Sequence, residues 1–339
     1  LAVLGAGALR VKGGVDLEPV KVAVIGAGNM GVHHARIYKE LPQTELVGIV
    51  DISEARGRFC SEQYGTQYFD DYRDLFGKVD AVNIVVPTSL HYPLAMDFLR
   101  QNVHVLVEKP ITVDLIQAKR LVDYSKKANC ILQVGHLERF NPAVRKLREV
   151  IGQPVYIESK RLSYPTNRNL DVGVIWDLMI HDLDILINLV NSPVVDIHAM
   201  GVSVYSDFED VAQVQLMFKN GCMANLTASR ISGEKLRGLK ATEDSGRTLC
   251  LDFIDQTLVA MHPPRAGRVI SPEVYDVEKE EPLRLELSHF ADCVAMHRTP
   301  LVSGEDGKRA LELAMHVLAR MKLVKSKAPQ AKALIALAG

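Results

Sequence analysis

Over the first 140 residues, apolar and polar positions alternate in blocks. "KVAVI" (21–25) is a short apolar run of the kind that forms a buried strand. "NMGVHHARIYKEL" behind it repeats apolar residues at helical spacing, with Met30, Ala35, Ile37 and Leu41 on one side. The rhythm then recurs. "ELVGIVD", "VDAVNIVVP", "HVLVEKP" and "CILQVGH" read as buried strands, and "LHYPLAMDFLRQ" and "DLIQAKRLVDYSKKAN" as helices between them. Strands alternating with helices of this length require βαβ crossovers, hence a parallel, doubly wound Rossmann sheet. Ligands bind such a sheet at the carboxyl ends of its strands.

Beyond residue 150 the period changes. "PVYIESKRLS", "VVDIHAMGVSVY" and "RTLCLDFIDQTLVAM" read as strands without long helices between them. "VAQVQLMFKNGCMANLTAS" is a hairpin signal around Asn220-Gly221. Ala212, Val214, Leu216 and Phe218 form its apolar face, answered by Cys222, Ala224, Leu226 and Ala228. Two helical stretches follow, "LRLELSHFADCVAMH" and "GEDGKRALELAMHVLARMKL". The expected organisation is an α/β dinucleotide-binding domain over 20–140 and an α+β domain over 141–325 with a mainly antiparallel, open sheet. That second domain is expected to bind substrate and form a homodimer or homotetramer. Residues 1–19 are expected to be a poorly ordered extension and 326–339 a tail.

Composition narrows the function. Lys plus Arg total 40 and Asp plus Glu 41, a net charge of −1 that lacks the basic excess of a nucleic-acid binder. No apolar run reaches the ~20 residues that cross a bilayer. The five cysteines are scattered, never in a C-x-x-C pair, which fits a reducing cytoplasm and neither a disulfide framework nor a zinc knuckle. No metal is expected.

Gly-Ala-Gly occurs twice, at 5–7 and at 26–28. A dinucleotide turn needs a third glycine so that the following helix can pack on its strand. The later copy has it at Gly31; the earlier has Arg10 there. With Gly26, Gly28, Asn29, Met30 and Gly31 go a strand before, a helix behind, and Asp51 ending the next strand. A carboxylate there accepts the ribose hydroxyls and repels a 2′-phosphate, so NAD is expected over NADP, with Arg56 as the residue that argues the other way.

Other candidates sit at predicted strand ends. Pro87, Thr88 and His91 follow the third strand and line the nicotinamide end or shape the loop. Glu108 and Lys109 end the fourth strand, where a lysine can donate to a substrate oxygen. In "WDLMIHDLD", Asp177 and His181 are four apart and share a helical face; Leu178, Ile180 and Leu183 are apolar. That pair reads as an acid-oriented imidazole, as two metal ligands, or as a packing pair at a helix entry. Arg139 and Asn141 in "GHLERFNP", and Arg168 in "SYPTNRNLDVG", are candidates for gripping a substrate phosphate or carboxylate.

"VAVIGAGNMG", "EKP", the Gly173-x-x-x-Asp177-x-x-x-His181 run and "LVSGEDGKRALELA" together resemble the glucose-fructose oxidoreductase / inositol dehydrogenase / rhizopine-catabolism (Gfo/Idh/MocA) family over roughly residues 20–323. The resemblance implies an NAD(P)-dependent oxidoreductase acting on a sugar or polyol hydroxyl, with Lys109, Asp177 and His181 as its catalytic set. Many members carry Asn near Thr88 or Ser89, which this chain lacks. "GHLERFNPAV" with "DVGVIWDLMIHDLDI" is similar to UDP-N-acetylglucosamine 3-dehydrogenases, which implies oxidation at the 3-hydroxyl of a UDP-N-acetylated hexose. The alternatives on this fold are a polyol or inositol dehydrogenase, a UDP-hexuronic acid dehydrogenase, and a non-catalytic nucleotide-bound regulator.

Overall fold

The computed structural model describes residues 9–10, 16–166, 170–264, 266–267 and 271–326. Most of the 1–19 extension, the 327–339 tail and Arg168 lie outside the described residues. Leu9–Arg10 and Asp16–Leu17 pair as two short antiparallel strands.

The chain divides into two compact units, residues 1–137 with 281–308, and residues 138–280 with 309–339. The first is built on a six-stranded parallel sheet. Its elements are β1 (Val20–Ile25), α1 (Asn29–Glu40), β2 (Thr44–Val50), α2 (Glu54–Tyr64), β3 (Gln67–Phe69), β4 (Ala81–Ile84), α3 (His91–Arg100), β5 (His104–Glu108), α4 (Leu115–Lys127) and β6 (Leu132–Gly135). The strand order is β3-β2-β1-β4-β5-β6, that of a doubly wound sheet whose direction of winding reverses beside β1. The strands are continuous apolar runs because helices cover both faces. Local chemistry sets the helix starts: Ser53 caps α2 by accepting the Arg56 N–H, and Asp114 caps α4 by accepting the Gln117 N–H.

The second unit contains α5 (Pro142–Val150), β7 (Pro154–Leu162), a widened π turn at Ile175–Met179 running into α6 (Ile180–Val190), β8 (Val194–Ser203), β9 (Val211–Phe218), β10 (Met223–Ser229), β11 (Leu236–Glu243), β12 (Thr248–Asp252), β13 (Thr257–Met261) and β14 (Glu273–Val274). These strands, with β15 (Met321–Lys325), form one nine-stranded sheet in the order β14-β13-β12-β11-β7-β10-β9-β8-β15. All pairings are antiparallel except β7 with β10 and β8 with β15. In the β9–β10 hairpin Leu216 faces Ala224, Val214 faces Leu226 and Ala212 faces Ala228, the register the alternation predicts. One face of the sheet is buried under Ile175, Met179, Ile180, Leu183 and Leu186 of the π turn and α6, and under Leu147 of α5. Each such side chain contributes about 1.5–3 kcal/mol relative to exposure. The run "RTLCLDFIDQTLVAM" is two strands, because Asp252 accepts the Ile254 and Asp255 N–H groups and turns the chain.

The expected contiguous second domain, 141–325, is corrected here. α7 (Pro282–Met296) belongs to the first unit, where Leu283, Leu287, Phe290 and Val294 join the core of β1 and α1. α8 (Gly304–Arg320) starts in the first unit and ends in the second. Periodicity marks both helices as amphipathic but carries no information about which sheet receives their apolar faces.

Candidate active site

In the first unit, the turn between β1 and α1 has room where a cofactor needs it and none elsewhere. Gly26 has φ +105°, and a Cβ there would lie 2.2 Å from the Val85 carbonyl oxygen. A Cβ on Gly31 would lie 1.8 Å from the Gly26 oxygen, so this glycine permits the close helix–strand packing. Around Gly28 a Cβ would meet nothing within 4 Å, which leaves its backbone open to a pyrophosphate at the positive end of α1. Asn29 and Met30 are exposed on the first helical turn. These residues fit a bound dinucleotide.

Asp51 is buried at the end of β2. Its Oδ2 accepts the Ala27 N–H at 2.7 Å, tying the acid to the glycine turn. Its Oδ1 accepts the Ser53 N–H at 2.7 Å and lies 3.2 Å from Arg56 Nη2. Arg56 is therefore engaged by the acid it was set against.

Behind Lys109 lies a buried polar chain. Tyr38 donates its hydroxyl to Asn83 Oδ1 at 2.7 Å, which turns the Asn83 amide so that Nδ2 donates to His34 Nδ1 at 2.9 Å. His34 is thereby the Nε2–H tautomer. Its Nε2 faces Glu108 Oε1 at 3.4 Å. Burial pushes the Glu108 carboxyl up, but His34 and the neighbouring Lys109 outweigh it, and the net shift is downward. Glu108 was expected to touch cofactor; its carboxylate is instead turned into the domain, toward α1. Glu286 of α7, wholly buried, adds a second carboxyl. Burial, then the charge of Glu108, raise its pKa well above the ordinary carboxyl range.

His91 is also corrected. Its Nδ1 and Nε2 lie 2.9 Å from the carbonyl oxygens of Pro110 and Val86. Burial lowers its pKa, and the neutral ring has one N–H to donate to one of these carbonyls, so His91 is buried between the loops after β4 and β5 and links them. Pro87 is exposed and Thr88 half-buried in the short turn leading to α3.

In the second unit, Asp177 lies inside the π turn and His181 one turn later at the start of α6; both are half-buried. The helix entry is held from outside. The Val174 N–H donates to the Glu209 carbonyl, and the Ile175 N–H to Glu209 Oε1, each at 3.0 Å. Glu209 is placed by its neighbour Asp210, whose Oδ2 accepts the N–H groups of Val204 and Tyr205 at 2.7 Å and of Ser206 at 3.1 Å. Burial would raise the Asp210 pKa; these donors bring it below its usual value.

Two residues expected to grip substrate, Arg139 and Asn141, are buried and make contacts within the second unit. Arg139 is buried and ion-paired with Asp184 at 3.4 Å. Asn141 is buried as the cap of α5: its Oδ1 accepts the Ala143 N–H at 3.1 Å, and its Nδ2 donates to the Phe253 carbonyl at 3.0 Å. Beside them, Arg161 donates from Nε and Nη2 to the two oxygens of Asp182, at 3.0 and 2.9 Å, and from Nη1 to Glu138 at 2.8 Å. Sequence reading passed over Glu209, Arg237 and Glu286. Strand periodicity over "LRGLKATE" was the one signal for Arg237; nothing local marks the other two.

A cavity of about 320 Å³ opens on the opposite, outer face of the second unit's sheet, lined by Glu158, Lys160, Lys240, Cys250 and Asp252 among others, away from α6. Among the described residues no group of three or more His, Cys, Asp or Glu is placed to hold a metal. Nor is any described helix long and apolar enough to cross a membrane.

Residues 20–136 match the model of the oxidoreductase family with an NAD-binding Rossmann fold, and residues 144–242 that of the GFO/IDH/MocA C-terminal domain. The chain belongs to the Gfo/Idh/MocA family. It is an NAD(P)-dependent oxidoreductase of the sugar and polyol dehydrogenases, acting on a CH–OH group of a small molecule. A UDP-N-acetylglucosamine 3-dehydrogenase of Acidithiobacillus ferrooxidans is 35% identical over 304 residues, covering 88% of this chain and 96% of that protein. A solved structure of that enzyme superposes with a TM-score of 0.84 at 34% identity, covering 89% of this chain and 98% of the other. A myo-inositol 2-dehydrogenase of Thermotoga maritima is 31% identical over 316 residues, covering 87% and 94%.

Proposed function

We propose that this Gfo/Idh/MocA enzyme uses NAD to oxidise the 3-hydroxyl of a UDP-N-acetylated hexose such as UDP-N-acetylglucosamine. The observation that carries the reading is the near full-length likeness to the Acidithiobacillus ferrooxidans enzyme. Bound NAD supplies the hydride acceptor. His181 takes the proton from the reacting hydroxyl, Asp177 orients the imidazole, and Lys109 donates to the reacting oxygen and stabilises charge developing there. The Asp51 carboxylate at the ribose end supports NAD over NADP. Five free cysteines, four of them buried, fit a reducing cytoplasm.

The test is NADH formation, followed by absorbance, across UDP-N-acetylglucosamine, UDP-N-acetylgalactosamine, UDP-glucuronate, myo-inositol and scyllo-inositol. Turnover confined to the UDP-N-acetylhexoses is expected. Faster turnover of an inositol favours the second reading, which rests on the likeness to the Thermotoga maritima enzyme.

A further inference from the structure

β7 and β11 are antiparallel neighbours in which Arg161 and Arg237 stand directly opposite. Opposed residues share a face of the sheet, and like charges so placed repel. Arg161 is satisfied: Asp182 and Glu138 take three of its donors, and its guanidinium lies 4.8 Å from the Phe253 ring centre. Glu138 also accepts from Asn141 Nδ2 at 3.3 Å.

Arg237 is different. It is half-buried; its carbonyl accepts the Phe253 N–H at 3.0 Å, and among the described residues its guanidinium makes no hydrogen bond or ion pair. Burial, then the charge of Arg161, press its pKa below the ordinary arginine value, against the pull of Glu138, Asp182 and Asp177. A guanidinium stays charged under such pressure, so a planar fork of donors is left unmatched within electrostatic range of Asp177. None of its nitrogens is a buried atom lacking a partner, so the fork is open to a ligand from solvent, and the group that fits a guanidinium best is a bidentate oxyanion.

We propose that Arg237 binds a phosphate of the substrate's nucleoside diphosphate, the part first expected of Arg139. The proposal rests on the nucleotide-sugar reading of the enzyme. It gives the second unit a phosphate grip on the same sheet face that carries the Asp177 helix.

The experiment is calorimetric titration of NAD-loaded protein with UDP, wild type against Arg237→Met and Arg237→Lys, alongside NAD affinity and thermal midpoint. UDP affinity is expected to fall about 10–100-fold in Arg237→Met, the loss of a charged hydrogen-bonding partner. It should be partly restored in Arg237→Lys, with NAD affinity and thermal midpoint close to wild type. UDP binding that is equal in all three proteins, or absent from all, overturns the proposal. So does a fall in thermal midpoint and NAD affinity that accompanies the loss of UDP, which would make Arg237 a charge balance for Glu138 and Asp182. A parallel titration with glucuronate separates the sources: binding of glucuronate rather than UDP lost in Arg237→Met assigns a carboxylate and overturns the phosphate. UDP binding does not require turnover, so failure of the dehydrogenase reading shows separately, as absence of NADH from every UDP-sugar.

Discussion

The Glu209 carboxylate accepts the Ile175 N–H at 3.0 Å and occupies the space beside Gly173, where a Cβ would lie 1.9 Å from Glu209 Oε1. The acid thereby fixes the start of the helical segment that carries Asp177 and His181. Gly173→Ala is expected to push the carboxylate off Ile175 and tilt that segment. A displacement of about 1 Å costs up to ~10²-fold in rate, so kcat should fall ~10–100-fold with KM for NAD unchanged. Glu209→Gln keeps an acceptor oxygen and should restore most of kcat relative to Glu209→Ala. Equal kcat in Glu209→Gln and Glu209→Ala would remove the positioning role.

Lys109→Met and His181→Asn should each lower turnover by ~10²-fold or more while leaving NAD affinity within about twofold. Asp177→Asn should be milder, because it disturbs the orientation of the imidazole without deleting it. Steady-state kinetics paired with fluorescence titration of NADH checks both parts. Wild-type turnover in either of the first two variants would end the catalytic assignment.

NAD should be preferred to NADP. Asp51 lies buried beside the glycine turn with Arg56 held against it. Asp51→Ala removes the acid that opposes a 2′-phosphate and frees Arg56 to meet one. The ratio of kcat/KM for NAD to that for NADP is expected to drop by tenfold or more. A wild-type preference for NADP would refute the role given to Asp51.

Glu286 gives a pH prediction. Its folded pKa lies above its unfolded value, because burial and the Glu108 charge disfavour ionisation. The stability it contributes is therefore complete below the unfolded value of about 4.3 and is lost as pH rises toward the folded value. Glu286→Gln keeps the shape and removes the titration. Its thermal midpoint should match wild type near pH 4.5 and exceed it increasingly from pH 6 to 9, at roughly 2–4 °C per kcal/mol. Scanning calorimetry across that range decides; a constant difference would show that Glu286 does not titrate differently on folding.

The outer face of the second unit's sheet carries Met200, Met217 and Met223 exposed, with Gln213, Gln215, Asn225 and Thr227 between them. This strip of Met and amides, flanked by Glu158 and Lys160 of β7 and by Asp196 and His198 of β8, suits a sheet-to-sheet contact with a second copy in which a Met centre has a polar rim. Wild-type protein at micromolar concentration should scatter light as a dimer or tetramer, and Met217→Asp with Met223→Asp should shift it toward monomer. A wild-type monomer would exclude this interface.

What the sequence by itself determined was local. Continuous apolar runs specify β1, β2, β4, β5 and β6, period-two alternation the β9–β10 hairpin and period 3.6 the helices between the strands, because each pattern is a property of consecutive residues; the three-residue β3 is too short to show one. The Gly26, Gly28 and Gly31 spacing marks the cofactor turn, and Gly31 answers a constraint five residues away at Gly26, whereas the carbonyl that excludes a side chain at Gly26 is that of Val85, on another strand. The tertiary structure decided what depends on partners distant in the chain. Arg139 and Arg237 are equally plausible anion grips as letters. Only folding brings Asp184 to Arg139, 45 residues away, and leaves Arg237 beside Arg161 without an acid of its own. The return of α7 to the first unit, the turning of Glu108 toward His34 and the seat of Glu209 on Gly173 are of the same kind. A side chain's charge is written in the sequence, but whether that charge is neutralised depends on distances that only the packed chain sets.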